Sequence, residues 1–176
     1  MYVVPYAVRL QIDTVREHVM IRIRQAGTAD AREIDAMVRE LAAHENSLEH
    51  VQVDATGWQR QLARPDVVVL LAEDDDEAVG FASTTRRLHL WSGGDLLALD
   101  DLYVRPERRD RGVGAQLMTA VARLAAADDL LVVWGVRLDN SAGQRFYARL
   151  GATLSTKMTA AWAPEGYRRH LAATSR

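Results

Sequence analysis

Apolar and polar positions change rhythm along the chain, and each change marks an element. Residues 21–24 are a short β-prone run, after which Thr28 and Asp30 can cap a helix; Asp30 with Glu33 has the spacing of a capping box. Ile34, Met37, Val38 and Leu41 then recur at the helical period and give one apolar face. A polar, acidic stretch holding Glu45, Glu49 and Asp54 follows, with a short helix predicted over 56–62 before Pro65. Residues 67–72 read as a buried strand, 74–77 as a turn, and 79–89 as the antiparallel partner. A third strand is predicted over 96–104, closed by Pro106, which cannot continue an interior strand.

Val113, Leu117, Val121 and Leu124 form the stripe of a helix that opens at Gly112, and 130–136 is again a strand. Strand, glycine-rich turn, helix and strand make one βαβ unit. Ala142, Phe146 and Leu150 mark the expected buried face of a further helix ended by Gly151; residues 153–162 suit a final strand or two, and Pro164 can open a C-terminal helix. The apolar rhythm begins only at Met20, so residues 1–19 are taken as an N-terminal extension and 20–176 as a single domain.

The length of 176 residues fits one core, and 48% hydrophobic with 26% charged residues is ordinary globular usage. A net charge of −2 gives no basic field for nucleic acid, and no apolar run approaches the roughly 20 residues that span a bilayer. Neither nucleic acid nor membrane is an expected partner. The absence of cysteine removes disulfides, thiolate metal sites and a cysteine nucleophile, and permits a cytoplasmic location. His44, His50 and His89 have no paired ligand spacing, so no metal is expected.

The segment Arg109, Asp110, Arg111, Gly112, Val113, Gly114, Ala115 lies between a strand and a helix, where unpaired N–H groups and the helix dipole favour an anion. Leu117 stands where a dinucleotide fingerprint needs glycine, and no Gly-Lys of a P-loop is present. Arg105, Arg108, Arg109 and Arg111 offer cationic donors enough for a pyrophosphate and a further phosphate, or else form a solvated cluster.

The run Leu99-Asp100-Asp101-Leu102-Tyr103-Val104-Arg105-Pro106, followed by Arg109-x-x-Gly-x-Gly, resembles the acyl-CoA signature of the GNAT-superfamily acyltransferases. Asn140, Ala142 and Phe146-Tyr147-x-x-Leu150-Gly151-Ala152 resemble the next motif of that superfamily, so the likeness covers about residues 20–162. Trp91-Ser92-Gly93 before an acidic strand resembles the diamine (spermidine/spermine type) and related small-amine acetyltransferases. The resemblance implies an α/β fold with a mixed, mostly antiparallel sheet flanked by helices, and acetyl-CoA as cosubstrate. It implies that Arg109, Asp110, Arg111, Gly112, Val113, Gly114 and Ala115 hold the pyrophosphate. The backbone of Leu102, Tyr103 and Val104 then pairs with the pantetheine arm like an added strand.

Acetyl transfer needs a neutral amine, whereas an alkyl amine with a pKa near 10.4 is protonated at pH 7. Asp100 and Asp101 are the candidate base or amine anchor, and in a regular strand they point to opposite faces, so only one is expected to reach the amine. The family carries a bulge here and places its acidic residue at the position of Asp100, which is therefore favoured. Tyr147 matches the family's general acid for the departing thiolate; Asn140 and Gly143 share its helical stripe and are placed with the cofactor. Glu45 is a candidate to hold a substrate cation, since that region lines the acceptor pocket in the family. The expected activity is direct N-acetylation of a small, cationic primary amine; acetylation of a protein or peptide, and a non-catalytic acyl-CoA-binding module, are the alternatives. Trp162 and the apolar C-terminal region suggest a homodimer.

Overall fold

The structure is a computed structural model that describes residues 21–174. The N-terminal extension 1–19 lies outside the described residues. Strands β1 (Arg22–Gln25), β2 (Val67–Asp74), β3 (Glu77–His89), β4 (Gly94–Val104) and β5 (Leu131–Val133) form one sheet in the order β1-β2-β3-β4-β5. Every pairing is antiparallel except β4 with β5, which is parallel. Hairpins account for two of the three antiparallel pairings: Asp75 and Asp76 take positive φ in the tight β2–β3 turn, and Gly93 does so between β3 and β4, whereas β1 reaches β2 across the two helices that separate them in sequence. A parallel neighbour needs a crossover, and helix α3 (Val113–Ala126) supplies it.

The pleat sorts the sheet into two buried faces. Val69, Leu71, Phe81 and Tyr103 share one, where they meet Ile34 and Met37 of α1 (Ala31–His44) and Trp58 of α2 (Ala55–Leu62). Leu70, Ala72 and Ala82 fall on the other, the face left for the buried α3 stripe Val113, Leu117 and Val121. Removing one such large side chain, as in Phe81→Ala, costs about 3–5 kcal/mol.

Local detail departs from the sequence pattern in several places. Asp30 and Glu33 do not form a capping box. The Asp30 carboxylate accepts from Gly27 N–H at 2.7 Å, across a 3-10 turn that precedes α1, and pairs with Arg24 at 2.7 Å. Asp54 is the cap of α2, accepting from Gly57 N–H at 2.7 Å, which gives this acidic residue a structural task. At the sheet edge, buried Glu73 pairs with Arg22 at 2.6 Å and Arg24 at 2.7 Å. Burial opposes its charge, but the Arg24 and Arg22 hydrogen bonds win and hold the carboxyl below its ordinary range.

By its internal contacts the chain divides at Gly135 into two units. The first holds the whole sheet and helices α1 to α3. The second, from Val136, holds α4 (Ser141–Arg149) and α5 (Pro164–Thr174), the latter opening at Pro164 as its sequence predicts. Gly151 ends α4 in the left-handed region, φ 90°, with Ala152 N–H donating to Tyr147 O at 3.1 Å. Two expectations fail here. Residues 153–162 form no strand, because nothing among the described residues pairs with their backbone; their apolar members Leu154, Met158 and Trp162 are exposed. Ala142 and Leu150 are exposed and Phe146 is only half-buried, so these three do not form a buried face.

Candidate active site

The site is built around β4. Its pairing with β3 follows a regular register from Gly80↔Val104 to Ser83↔Asp101, then jumps to Thr84↔Leu99. Asp100 is therefore the extra residue of a β-bulge. β3 stays regular, so Ser83 and Thr85 share one face, the face of Phe81 and α1. Ser83 Oγ donates to Asp101 Oδ2 at 2.9 Å, and Thr85 Oγ1 donates to Asp100 Oδ2 at 2.7 Å. The expectation that neighbouring acids point to opposite faces is corrected by these two bonds. The bulge turns the second carboxylate so that Asp100 and Asp101 both reach hydroxyls of one face.

The two acids differ in setting. Asp100 is exposed, while Asp101 is half-buried. Burial pushes the Asp101 carboxyl above its ordinary value; the Ser83 hydrogen bond opposes that rise, and the charges of Asp100 and Glu45 add to it. Glu45 stands exposed at the C-terminal cap of α1, close enough for its charge to be felt at Asp101. The charges of Asp100 and Glu45 thus both act on Asp101 where β4 is irregular. Ser83 and Thr85 gave no signal in the sequence, because only the register pairs them with the acids.

Beyond the bulge, β4 has β3 on one side. On the other, β5 pairs only with Leu96, Leu97 and Ala98, so the edge at Leu102, Tyr103 and Val104 has no strand beside it among the described residues. That edge can accept an extended chain. The side chains there do other work: Tyr103 is buried and donates to Glu40 at 3.1 Å, and burial with this bond raises its phenol pKa.

The turn that follows has its N-cap at Gly112, φ 83°, with no side chain to cap the helix, and Asp110 also takes positive φ. A Cβ at Gly112 would meet nothing within 4 Å, so the space in front of the α3 N-terminus is open. The first N–H groups of α3, from Val113, Gly114 and Ala115, have no acceptor inside the helix. They fit an anion, as do exposed Arg109 and Arg111.

Arg105 and Arg108 do not belong to that set. Arg105 is 16% exposed and binds Glu33 at 3.0 Å, Glu40 at 3.1 Å and the Ala78 carbonyl at 2.7 Å. Arg108 pairs with buried Asp74 at 2.8 Å. Their guanidinium groups are committed to acids brought from α1 and the β2–β3 hairpin. Arg109 Nε donates to Val104 O at 2.9 Å, and its guanidinium sits 6.0 Å from the Tyr103 ring centre, which anchors this arginine beside the strand edge.

The remaining predicted residues lie in the second unit. Asn140 is the cap of α4, its side-chain oxygen accepting from Gly143 N–H at 2.8 Å. A Cβ at Gly143 would come within 2.7 Å of the Asn140 amide, so capping by itself favours glycine there. Burial raises the Tyr147 phenol above its ordinary value, which keeps it protonated at neutral pH. Among the described residues no group of three or more His, Cys, Asp or Glu could hold a metal ion, and no helix is long and apolar enough to cross a membrane.

Residues 34–152 match the model of the acetyltransferase (GNAT) family. The aminoalkylphosphonate N-acetyltransferase of Salmonella typhimurium is 30% identical over 141 residues, covering 77% of this chain and 88% of that protein. Human spermidine/spermine N(1)-acetyltransferase-like protein 1 is 30% identical over 146 residues, covering 74% of this chain but only 20% of that much longer relative. Among solved structures, an aminoglycoside acetyltransferase from an uncultured soil metagenomic sample superposes with a TM-score of 0.71 at 17% identity, covering 81% of this chain and 95% of its own. With the family model matched over more than half of its length, the chain belongs to the GNAT family of N-acetyltransferases.

Proposed function

We propose that the protein transfers the acetyl group of acetyl-CoA directly to a primary amine of a small cationic acceptor, with residues 20–176 acting as one catalytic domain. The observation that carries this reading is the bulge that puts Asp100 and Asp101 on one face, with Glu45 nearby, beside an open strand edge. Acidic groups attract a protonated amine and can accept its proton.

In this reading the N–H groups of Gly112, Val113, Gly114 and Ala115, with Arg109, Asp110 and Arg111 shaping the turn, hold the pyrophosphate. The backbone of Leu102, Tyr103 and Val104 pairs with the pantetheine arm, and Asn140 and Gly143 belong to the same cofactor set. Asp100 meets the amine directly or through water and, with Asp101, removes its proton; Glu45 helps to hold the acceptor's charge. Tyr147, carried over from the motif, protonates the departing thiolate, and its raised pKa suits an acid. No acyl-enzyme is needed, because the chain has no cysteine and no Ser-His pair stands out. A cytoplasmic location and a homodimer complete the proposal, the latter supported by exposed Met158 and Trp162.

Similarity to an aminoalkylphosphonate N-acetyltransferase and to a spermidine/spermine N(1)-acetyltransferase-like protein favours a small amine over a peptide. The test is an acceptor panel of diamines, polyamines, aminoalkylphosphonates, amino acids, aminoglycosides and short peptides with acetyl-CoA. A thiol reagent then reports only released CoA, since the protein contributes no thiol. Turnover with a small cationic amine is expected; turnover confined to peptides would overturn the small-amine reading.

A further inference from the structure

Ser83 is 6% exposed in the middle of β3, where the apolar segment 78–82 gives way to polar residues. A buried hydroxyl is costly unless its hydrogen-bonding capacity is used. Here both capacities go to one residue: Ser83 Oγ accepts from the Asp101 backbone N–H at 3.0 Å and donates to the Asp101 carboxylate at 2.9 Å. Asp101 is the last residue of β4 in register with β3 before the bulge, standing opposite Ser83. The serine oxygen takes up its main-chain N–H and, in the same contact, fixes the direction of its carboxylate. Thr85 repeats the donation two residues on, at 2.7 Å to Asp100.

We propose that Ser83 is a positioning residue for the acetyl-transfer reaction, holding Asp101 by both its main chain and its carboxylate so that the acid pair faces the amine. The inference rests on the reading that Asp100 and Asp101 handle the amine's proton. The groups that act on Asp101 are Ser83 from β3, Asp100 beside it, whose carboxylate Thr85 holds, and Glu45 from the end of α1. Of these only the serine favours the ionised carboxylate. Without its hydroxyl, the interaction that offsets burial and the two negative neighbours is lost, and Asp101 holds its proton to higher pH.

The test follows the Asp101 carboxyl by 13C NMR titration of the full chain in Ser83→Ala, Ser83→Cys and Ser83→Thr, alongside kcat/KM profiles with acetyl-CoA and the best amine of the panel. In Ser83→Ala the Asp101 midpoint is expected to rise by about one pH unit, with the acid limb of kcat/KM moving equally and the KM for acetyl-CoA unchanged. Ser83→Thr keeps the hydroxyl and the wild-type midpoint. Ser83→Cys, a weak donor of similar shape, shifts the midpoint part of the way and carries the test if the alanine variant does not fold. A wild-type midpoint and limb in the alanine and cysteine variants, whatever their stability, would leave Ser83 a packing residue and overturn the proposal. If instead Asp101→Asn and Asp100→Asn keep full turnover while the Ser83→Ala midpoint still moves, the acid-pair reading fails and the hold of Ser83 on Asp101 stands.

Discussion

The bulge at Asp100 and the turn at Gly112 both interrupt regular backbone, yet they prepare for opposite charges by different means. At the bulge the work is done by side chains: two carboxylates are rotated onto one face and each is held by a hydroxyl of the neighbouring strand. At the turn it is done by main chain: a left-handed glycine frees the first N–H groups of α3 and leaves open space before them. In the proposed reaction a cationic acceptor and an anionic cofactor would be recognised from one strand. Substitutions at the two places should separate cleanly, those at the bulge changing amine turnover and those at the turn changing acetyl-CoA affinity.

The largest effect is expected from the bulge. Asp100→Asn and Asp101→Asn should each lower kcat by about 10²-fold or more while acetyl-CoA binding, measured calorimetrically, stays at the wild-type level. The pH profile divides the pair further. In the proposed mechanism Asp101 takes a proton only when ionised, and burial raises its pKa, so kcat/KM should climb with pH through a limb above the ordinary carboxylate range. In the residual activity of Asp100→Asn that limb should move to lower pH, because a like charge is gone. A limb that stays put would show that Asp101 does not govern it.

A smaller effect is expected at the turn. Gly112→Ala places a Cβ at φ 83°, a strain of about 1–2 kcal/mol, and should weaken acetyl-CoA roughly tenfold without moving the pH limb. The smallest distinguishes two arginines that look alike in sequence. Arg111→Ala should weaken acetyl-CoA about threefold, less at high salt, with no change in Tm. Arg105→Ala should leave that affinity intact and lower stability by about 1–2 kcal/mol, because Glu33, Glu40 and the Ala78 carbonyl lose their partner. Reversal of that pattern would put Arg105 back in the phosphate site.

The same pair of regions shows what a sequence can reveal. The glycine turn was legible because its parts are consecutive: strand, glycines and helix stripe all lie within one stretch. The five strands up to residue 133 were legible for a similar reason, since alternation and hairpin turns are local signals. The bulge geometry was not, for it depends on which residue of β3 faces which of β4, and that register brings Ser83 and Thr85 to acids far along the chain. The arginines failed for the same cause. Nothing near Arg105 reveals that its partners are Glu33 and Glu40 on α1. Residues 153–162 failed in the other direction: their composition suits a strand, but a strand exists only where another backbone pairs with it.

Calorimetric titration of the purified protein with acetyl-CoA, with ATP and NAD as controls, decides whether the Gly112 turn and the open edge of β4 form an acetyl-CoA site. Saturable binding of acetyl-CoA well above either control is the predicted result, since only a ligand with a pantetheine arm can use the strand edge as well as the turn. Folded protein that binds no acetyl-CoA, or that binds ATP equally well, would contradict the account.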